Sequence, residues 1–359
     1  MKKTLFVMLL LVFVFLTGCT TNSSSLNTET KKATVVNGTM KVHFIDVGQG
    51  DAILIQQGES TMLIDAGDNQ YGETVVNYLK DQGVQTLDYV IGTHPHADHI
   101  GGLDVVINNF EVKKIIMPKV GHTTKTYEDL LLAIKNKGLK ITTPVVGETN
   151  DLGDSQFTII GPNAESYNSL NDYSVAIKLA YGNTSFVFTG DAEENAEKEM
   201  LALGIDLKAD VLKIPHHGSS SSLSDAFLKA VAPKIGVIQL GADNDYGHPH
   251  EETMAKLAGV ELYRTDNNGT VVIESDGTNL SVKTQKAGND TSTANTQKVV
   301  QQENTATTAD TGSYIGNINS HVYHTVTCSS LPLEKNRVYF DTEEEAIAAG
   351  YRPHEECNK

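Results

Sequence analysis

Thr93-His94-Pro95-His96-Ala97-Asp98-His99-Ile100-Gly101-Gly102 follows closely on an apolar run, Leu87 to Ile91. Three imidazoles and one carboxylate fall within the six residues from His94 to His99. Neither helical nor extended packing gives a reason to gather such groups beside a buried strand. Left unpaired there, each would cost several kcal/mol of desolvation, which direct ligation of a divalent cation offsets. The segment reads as a metal loop at a strand end.

Outward from this loop, short β-rich runs alternate with helical ones. Val42–Val47 and Ala52–Ile55 flank Gly48-Gln49-Gly50-Asp51, whose two glycines permit a tight reversal, so the start reads as a hairpin. Thr61–Gly67 is a third strand ending in a glycine turn. Further strands are expected at Phe157–Ile160, Val175–Leu179, Ser185–Phe188, Val211–Ile214 and Ile235–Leu240. Helices are expected at Thr74–Leu79, Leu130–Ile134, Glu193–Leu203 and Leu223–Val231. Strand pairs followed by single helices predict two sheets with helices outside, an α/β sandwich.

The 359 residues hold 28 Lys and Arg against 45 Asp and Glu, a formal net charge of -17. Such a balance opposes any generally basic surface that grips nucleic acid, so a polyanion must be held by metal or by a local patch. The long apolar run lies at the extreme N-terminus, where Met1-Lys2-Lys3 precedes Thr4–Thr17; the mature body is expected to lack a spanning helix and cannot be a channel or transporter by itself. Residues 1–18 read as a secretory signal peptide. Residues 19–39 read as a polar tether, 40–286 as the main domain, 287–312 as a polar linker with almost nothing to bury, and 313–359 as a small module. Three cysteines cannot build a dense disulfide scaffold.

Three resemblances sharpen this reading. Leu16-Thr17-Gly18-Cys19 is similar to the bacterial lipobox, which implies a lipid anchor on Cys19 and a place on the extracellular face of the cell membrane. The His-x-His-x-Asp-His run resembles the central motif of the metallo-β-lactamase superfamily. Ile64-Asp65-Ala66-Gly67 and Phe188-Thr189-Gly190-Asp191 resemble two further motifs of that superfamily. Phe44–Ala52, Val211–Ser219 with Pro215-His216-His217-Gly218, and Tyr246-Gly247-His248-Pro249 resemble the extracellular nuclease-like domain of the ComEC competence protein family. This likeness runs in motif order from Met40 to Val282. It implies an αββα sandwich.

The same resemblance implies a site with two divalent ions, Zn²⁺ or Mn²⁺. His94 and His96 would ligate the first ion, Asp98 and His99 the second, and Asp191 would bridge them. Asp65 would brace the histidine loop through hydrogen bonds. Of His216 and His217, the second is taken as the remaining ligand and the first as a neighbour that hydrogen-bonds or contacts substrate, with the reverse order left open. The superfamily has another histidine before the bridging aspartate, where this chain reads Leu170-Asn171-Asp172-Tyr173-Ser174. Either Asn171 or Asp172 replaces it in an oxygen-richer, weaker site, or the first site is incomplete without substrate. The ligand set suits in-line attack on phosphorus by activated water. Asp98, Asp191 and His248 are the catalytic candidates; His248 would protonate a leaving alkoxide, hold a phosphate oxygen, or merely cap its loop. Lys213 is expected as a solvated strand-end lysine, with a phosphate contact as the alternative. His43, His122 and His250 are given no role.

In the tail, His324-x-x-x-Cys328 and His354-x-x-Cys357 suit one tetrahedral Zn²⁺. They resemble the Ada-type zinc module with the first cysteine of each pair replaced by histidine, and alkyl transfer is therefore not expected. A disulfide between Cys328 and Cys357 is the competing staple. A strand at Asn336–Phe340 and a helix capped by Thr342 and ended by Gly350 complete the module. The expected activity is hydrolysis of DNA phosphodiester bonds by an anchored enzyme. The alternatives are a cell-wall or small-molecule phosphodiester as substrate, and a non-catalytic lipoprotein that binds DNA or envelope polymer. No protein partner is read from the sequence.

Overall fold

The computed structural model describes residues 36–287 and, beyond them, 314–317, 322–325, 337–340, 342–349 and 351–353. Strand side chains alternate between faces, and in the central strands both faces are apolar. Ile53 and Ile55 enter one core while Leu54 enters another, and Met62 and Ile64 divide from Leu63 in the same way. Such strands need cover on both sides, and the chain provides it with a second sheet and outer helices.

The first strands are β1 (Met40–Phe44), β2 (Ile53–Gln57), β3 (Ser60–Ile64), β4 (Thr86–Ile91), β5 (Glu111–Ile116) and β6 (Ile141–Thr142). The second sheet takes β7 (Thr149–Leu152), β8 (Ser155–Gly161), β9 (Ala176–Tyr181), β10 (Thr184–Phe188), β11 (Val211–Lys213), β12 (Ile235–Ile238) and β13 (Glu261–Arg264). The chain then returns to the first sheet with β14 (Val271–Ser275) and β15 (Leu280–Thr284), giving the orders β15-β14-β1-β2-β3-β4-β5-β6 and β13-β12-β11-β10-β9-β8-β7. Between the sheets lies a core that includes Phe44, Ile64, Phe157, Phe186 and Phe188. Helices α1 (Gly72–Asp81), α3 (Leu103–Asn109) and α4 (Lys125–Asn136) cover the first sheet through Val76, Val106 and Ile134, with the short α2 (Ala97–Ile100) between the first two. On the other side, α5 (Glu194–Ala202) and α6 (Asp225–Val231) pack Met200 and Phe227 against Val187 and Leu212. The architecture is the expected αββα sandwich.

The connection between β1 and β2 departs from the tight reversal read in the sequence. The strands pair antiparallel, but residues 45–52 form an open loop closed at its base by Ile45 N–H to the Ala52 carbonyl, 2.9 Å. The loop opens because it packs on the histidine segment: Asp51 N–H donates to the Asp98 carbonyl at 3.1 Å. At Gly50, with φ +133°, a Cβ would stand 2.2 Å from that carbonyl oxygen, so glycine is required by close approach. Among the described residues, no helix is long and apolar enough to cross a membrane.

The chain divides into two compact units, Met1–Ser292 and Thr293–Lys359. In the second, strands β16 (Tyr314–Asn317), β17 (Val322–Thr325), β18 (Arg337–Phe340) and β19 (Arg352–Pro353) form a sheet in the order β18-β16-β17-β19. The helix Glu343–Ala348 is capped by Thr342, whose hydroxyl accepts the Glu345 N–H at 3.2 Å. His324 is buried on β17. Cys328, His354, Cys357 and Gly350, like Cys19 and the segment before residue 36, lie outside the described residues.

One buried histidine on β1 makes the first unit acid-sensitive. His43 is 2% exposed, with Nδ1 2.9 Å from the Tyr78 hydroxyl. Burial, and then the charge of Lys41, lower its pKa to about 4. The unfolded chain, with an ordinary histidine pKa, binds the extra proton between roughly pH 6.5 and 4. Stability from this residue is complete above that window and is lost as pH falls through it, by about 3 kcal/mol. Urea unfolding at pH 7.5 and pH 4 is expected to show His43→Gln losing less stability than the parent chain by about that amount.

Candidate metal centre

The histidine segment leaves β4 at the edge of the inter-sheet core, and a buried aspartate fixes its shape. Asp65 is fully buried at the end of β3 with φ +56°, a left-handed conformation costly for a residue other than glycine. Its carboxylate accepts the Thr93 N–H at 2.8 Å and the Thr93 hydroxyl at 2.6 Å, and lies 2.8 Å from His99 Nδ1. Burial pushes this carboxyl up despite the opposing pull of His99 and Thr93. With Nδ1 engaged, His99 turns Nε2 towards the cluster.

There, ligand atoms of Asp98, His99, Asp191 and His217 lie within 4.8 Å of one another. His99 Nε2 is 3.1 Å from Asp191 Oδ2, and His217 Nε2 is 3.3 Å from Asp98 Oδ2 and 3.4 Å from Asp191 Oδ2. The Nε2 atoms of both histidines and Oδ1 of Asp191 are buried without an aligned hydrogen-bond partner. Buried polar atoms left this way are costly, and two imidazole nitrogens with two carboxylates form a donor set that a divalent cation satisfies. The residues present therefore fit a metal ion.

His94 and His96 form a second convergence beside this group, with His94 Nε2 3.0 Å from His96 Nδ1. His94 Nδ1 faces the hydroxyls of Thr93 at 3.1 Å and Ser174 at 3.3 Å. The Ser174 hydroxyl also accepts the Asp191 N–H at 3.1 Å, tying both sheets to the cluster.

Charges follow the same geometry. Burial opposes ionisation of Asp191 and Asp98, yet His217 and His99 beside the first, and His99 then His217 beside the second, hold both carboxyls well below their usual range. Burial likewise opposes the imidazolium of His217, but Asp191 and Asp98 raise its pKa to about 10. His99 is raised for the same reason. His94, buried beside the His99 charge, is pushed well down. Protons on His99 and His217 occupy the electrostatic place that a cation takes, so metal loading displaces protons.

His217 and His216 both have left-handed φ, +53° and +50°. The turn sends His217 inward, where Nδ1 lies 2.8 Å from the Gln239 carbonyl, and leaves His216 at the rim, 3.7 Å from Asp191 Oδ2 and 3.0 Å from the Ser221 hydroxyl. His217, not His216, thus joins the group of four.

One open choice is narrowed and one expectation is corrected. Asp172 is not placed as a ligand: its Oδ1 accepts the N–H groups of Glu193 at 3.0 Å and Ala196 at 3.4 Å, capping the start of α5. Its neighbour Asn171 faces the site instead, with Nδ2 3.4 Å from His216 Nε2 and a buried Oδ1 lacking a partner. Lys213 is not solvated. It is 1% exposed, and its Nζ lies 2.6 Å from Asp51 Oδ2. Asp51 in turn stands 3.4 Å from His217 Nδ1 and 3.9 Å from His99 Nδ1, so the buried ion pair packs directly under two members of the cluster. Sequence reasoning gave Asp51 no role. The available signal was a carboxylate flanked by glycine and an apolar run, where burial without a partner is forbidding. Gln239 was missed as well; its Nε2 donates to the carbonyls of Ile45 and Ala52, at 3.1 and 3.0 Å, and closes the loop that carries Asp51.

A cleft of about 370 Å³ opens over the cluster, with Gln49, Asp68, His96, Asp98, Tyr246 and His248 on its walls. Residues 45–242 match the family described as the metallo-beta-lactamase superfamily. The chain belongs to that superfamily. Residues 296–359 match the metal binding domain of Ada. The chain is 32% identical over 253 residues to ComE operon protein 3 of Bacillus subtilis (strain 168), covering 64% of this chain and 32% of that one. It is 29% identical over 227 residues to Recombination protein 2 of Haemophilus influenzae, covering 61% of this chain and 26% of that one. It therefore spans about a third or less of the length of these relatives. Among solved structures, the metallo-beta-lactamase fold protein YhfI from Bacillus subtilis aligns at 17% identity with a TM-score of 0.44, covering 66% of this chain and 100% of its own.

Two measurements check this centre. Asp65→Ala is expected to weaken zinc or manganese affinity by about 10–100-fold in calorimetric titration, as loss of a carboxylate behind a ligating histidine does. Lys213→Met is expected to destabilise the first unit by about 3–5 kcal/mol in urea, because it strands the buried Asp51 charge.

Proposed function

We propose that the chain is a metal-dependent phosphodiesterase or nuclease, tethered through Cys19 to the outer face of a bacterial membrane and hydrolysing DNA. The observation that carries this reading is the group of Asp98, His99, Asp191 and His217, with its orphaned buried atoms at the floor of an open cleft. In this proposal His94, His96 and Asp191 would hold the first divalent ion, and Asp98, His99, His217 and Asp191 the second. In the tail, His324, Cys328, His354 and Cys357 would hold a separate structural Zn²⁺, a reading that the Ada family match supports.

When bound, divalent ions would supply Lewis acidity towards water and would offset charge developing on phosphate oxygens. The protein's own residues orient that chemistry. Asp65 fixes the His99 ring, the Gln239 carbonyl holds His217 by Nδ1, and Asp51 pairs with Lys213 beneath His217 and His99. His248 stands on the cleft wall. Burial, then the charges of His217 and His216, lower its pKa to about 4. At neutral pH it is an uncharged imidazole, which favours holding a phosphate oxygen through N–H over protonating a leaving alkoxide.

The relatives named for a ComE operon and for recombination support DNA as the substrate. One observation favours a small or cell-wall phosphodiester instead: the net charge of -17 repels a long polyanion. Cleavage assays on single-stranded DNA, duplex DNA and a generic phosphodiester, each with Mn²⁺ and Zn²⁺, separate the two. Asp191→Ala is expected to abolish turnover on every substrate while secretion and folding persist. Wild-type turnover in that variant would refute the assigned centre, and DNA binding without turnover under any metal would favour the non-catalytic reading.

A further inference from the structure

Among the described residues, the large apolar side chains left exposed are Leu131, Leu132, Ile141, Val145, Tyr246 and Ile347. Tyr246 is the most exposed of them at 66% and the only aromatic one, and it lines the cleft over the metal cluster. Exposure of a large ring beside a reaction centre calls for a reason that a scattered surface leucine does not.

The ring is held in place. It stacks on His248, with centroids 5.6 Å apart and planes 20° from parallel. His248 is packed edge-on against His250 at 4.8 Å. Asn244 clamps the loop beneath them: its Nδ2 donates to the carbonyls of Gly241 at 2.9 Å and His248 at 2.8 Å, and its Oδ1 accepts the His248 N–H at 2.9 Å. His250 Nδ1 accepts the Ser220 N–H at 2.9 Å, joining the loop to the turn after His217. A clamped aromatic face loses little entropy when a planar group settles on it.

The cleft also lacks the usual means of holding a nucleic-acid backbone. No lysine or arginine lines it among the described residues. Affinity beyond the reacting phosphate must therefore come from another contact, and base stacking on an aromatic face is sequence-tolerant and independent of cationic side chains. A duplex keeps its base faces covered by neighbouring bases, whereas a single strand offers them.

We infer that Tyr246, backed by His248, is a stacking platform for an unpaired nucleobase next to the phosphodiester in the cleft, selecting single-stranded over duplex nucleic acid. This rests on the phosphodiesterase reading and adds a specificity-determining residue to it.

The test uses the purified full chain with manganese, a single-stranded oligonucleotide, and an abasic strand of equal length and charge. The parent chain is expected to favour the base-bearing strand in kcat/KM. Tyr246→Ala should reduce that preference by about 10-fold, the scale of losing one stacked base, and Tyr246→Phe should retain it. An unchanged preference in Tyr246→Ala overturns the platform while leaving the hydrolase reading intact. If the parent cleaves neither strand with manganese or with zinc, the reading of nucleic acid as the substrate fails, and fluorescence anisotropy with the same strands still decides the platform by the same ratio, measured as Kd.

Discussion

A carboxylate with no access to water organises the site. Asp65 is held at the end of a central strand in a left-handed conformation. It is stable there only because Thr93 and His99 satisfy its oxygens. Those bonds fix the path of the chain out of β4 and the orientation of the His99 ring. Everything that converges on the cluster does so against that fixed loop: Asp98 and His99 from the segment itself, Asp191 from the end of β10, and His217 from the turn after β11. Without Asp65 the same ligand types would be present but unaimed.

A second layer of buried charge supports the first. Asp51 and Lys213 form an ion pair beneath His217 and His99, at a depth where either partner alone would be untenable. The loop that carries Asp51 is held by Gln239 side-chain bonds to Ile45 and Ala52, and the Gln239 carbonyl meets His217. One residue of β12's continuation thus links the first sheet's opening loop to His217, on the turn after β11 of the second sheet. The two sheets meet at the cluster through polar contacts as well as through their shared apolar core.

The electrostatic character of the cleft follows from this arrangement. Its floor concentrates carboxylates and imidazoles, its walls carry no lysine or arginine among the described residues, and the chain as a whole is strongly acidic. In the proposed reading, attraction for a phosphodiester is thereby confined to the place where a metal would be held. On the same reading, substrate contacts away from that point would rely on shape and on ring faces.

Local chemistry makes much of this legible in the sequence. His94, His96, Asp98 and His99 sit within one short loop after an apolar strand, so their gathering is visible in spacing alone, and unbroken apolar runs such as Ile53-Leu54-Ile55 signal strands covered on both faces. Asp65 and Asp191 were legible through motifs at strand ends. The choice between Asn171 and Asp172 was not, because adjacent residues in a short turn point in different directions, and only the position of α5 shows that Asp172 is spent on its first backbone N–H groups. Lys213 reads as a surface residue until β11 is seen to be central and Asp51, far away in the chain, is placed beneath it. Local spacing determines which chemical groups are available; long-range packing determines which of them lose their water, and desolvation decides whether a charged side chain must find a partner.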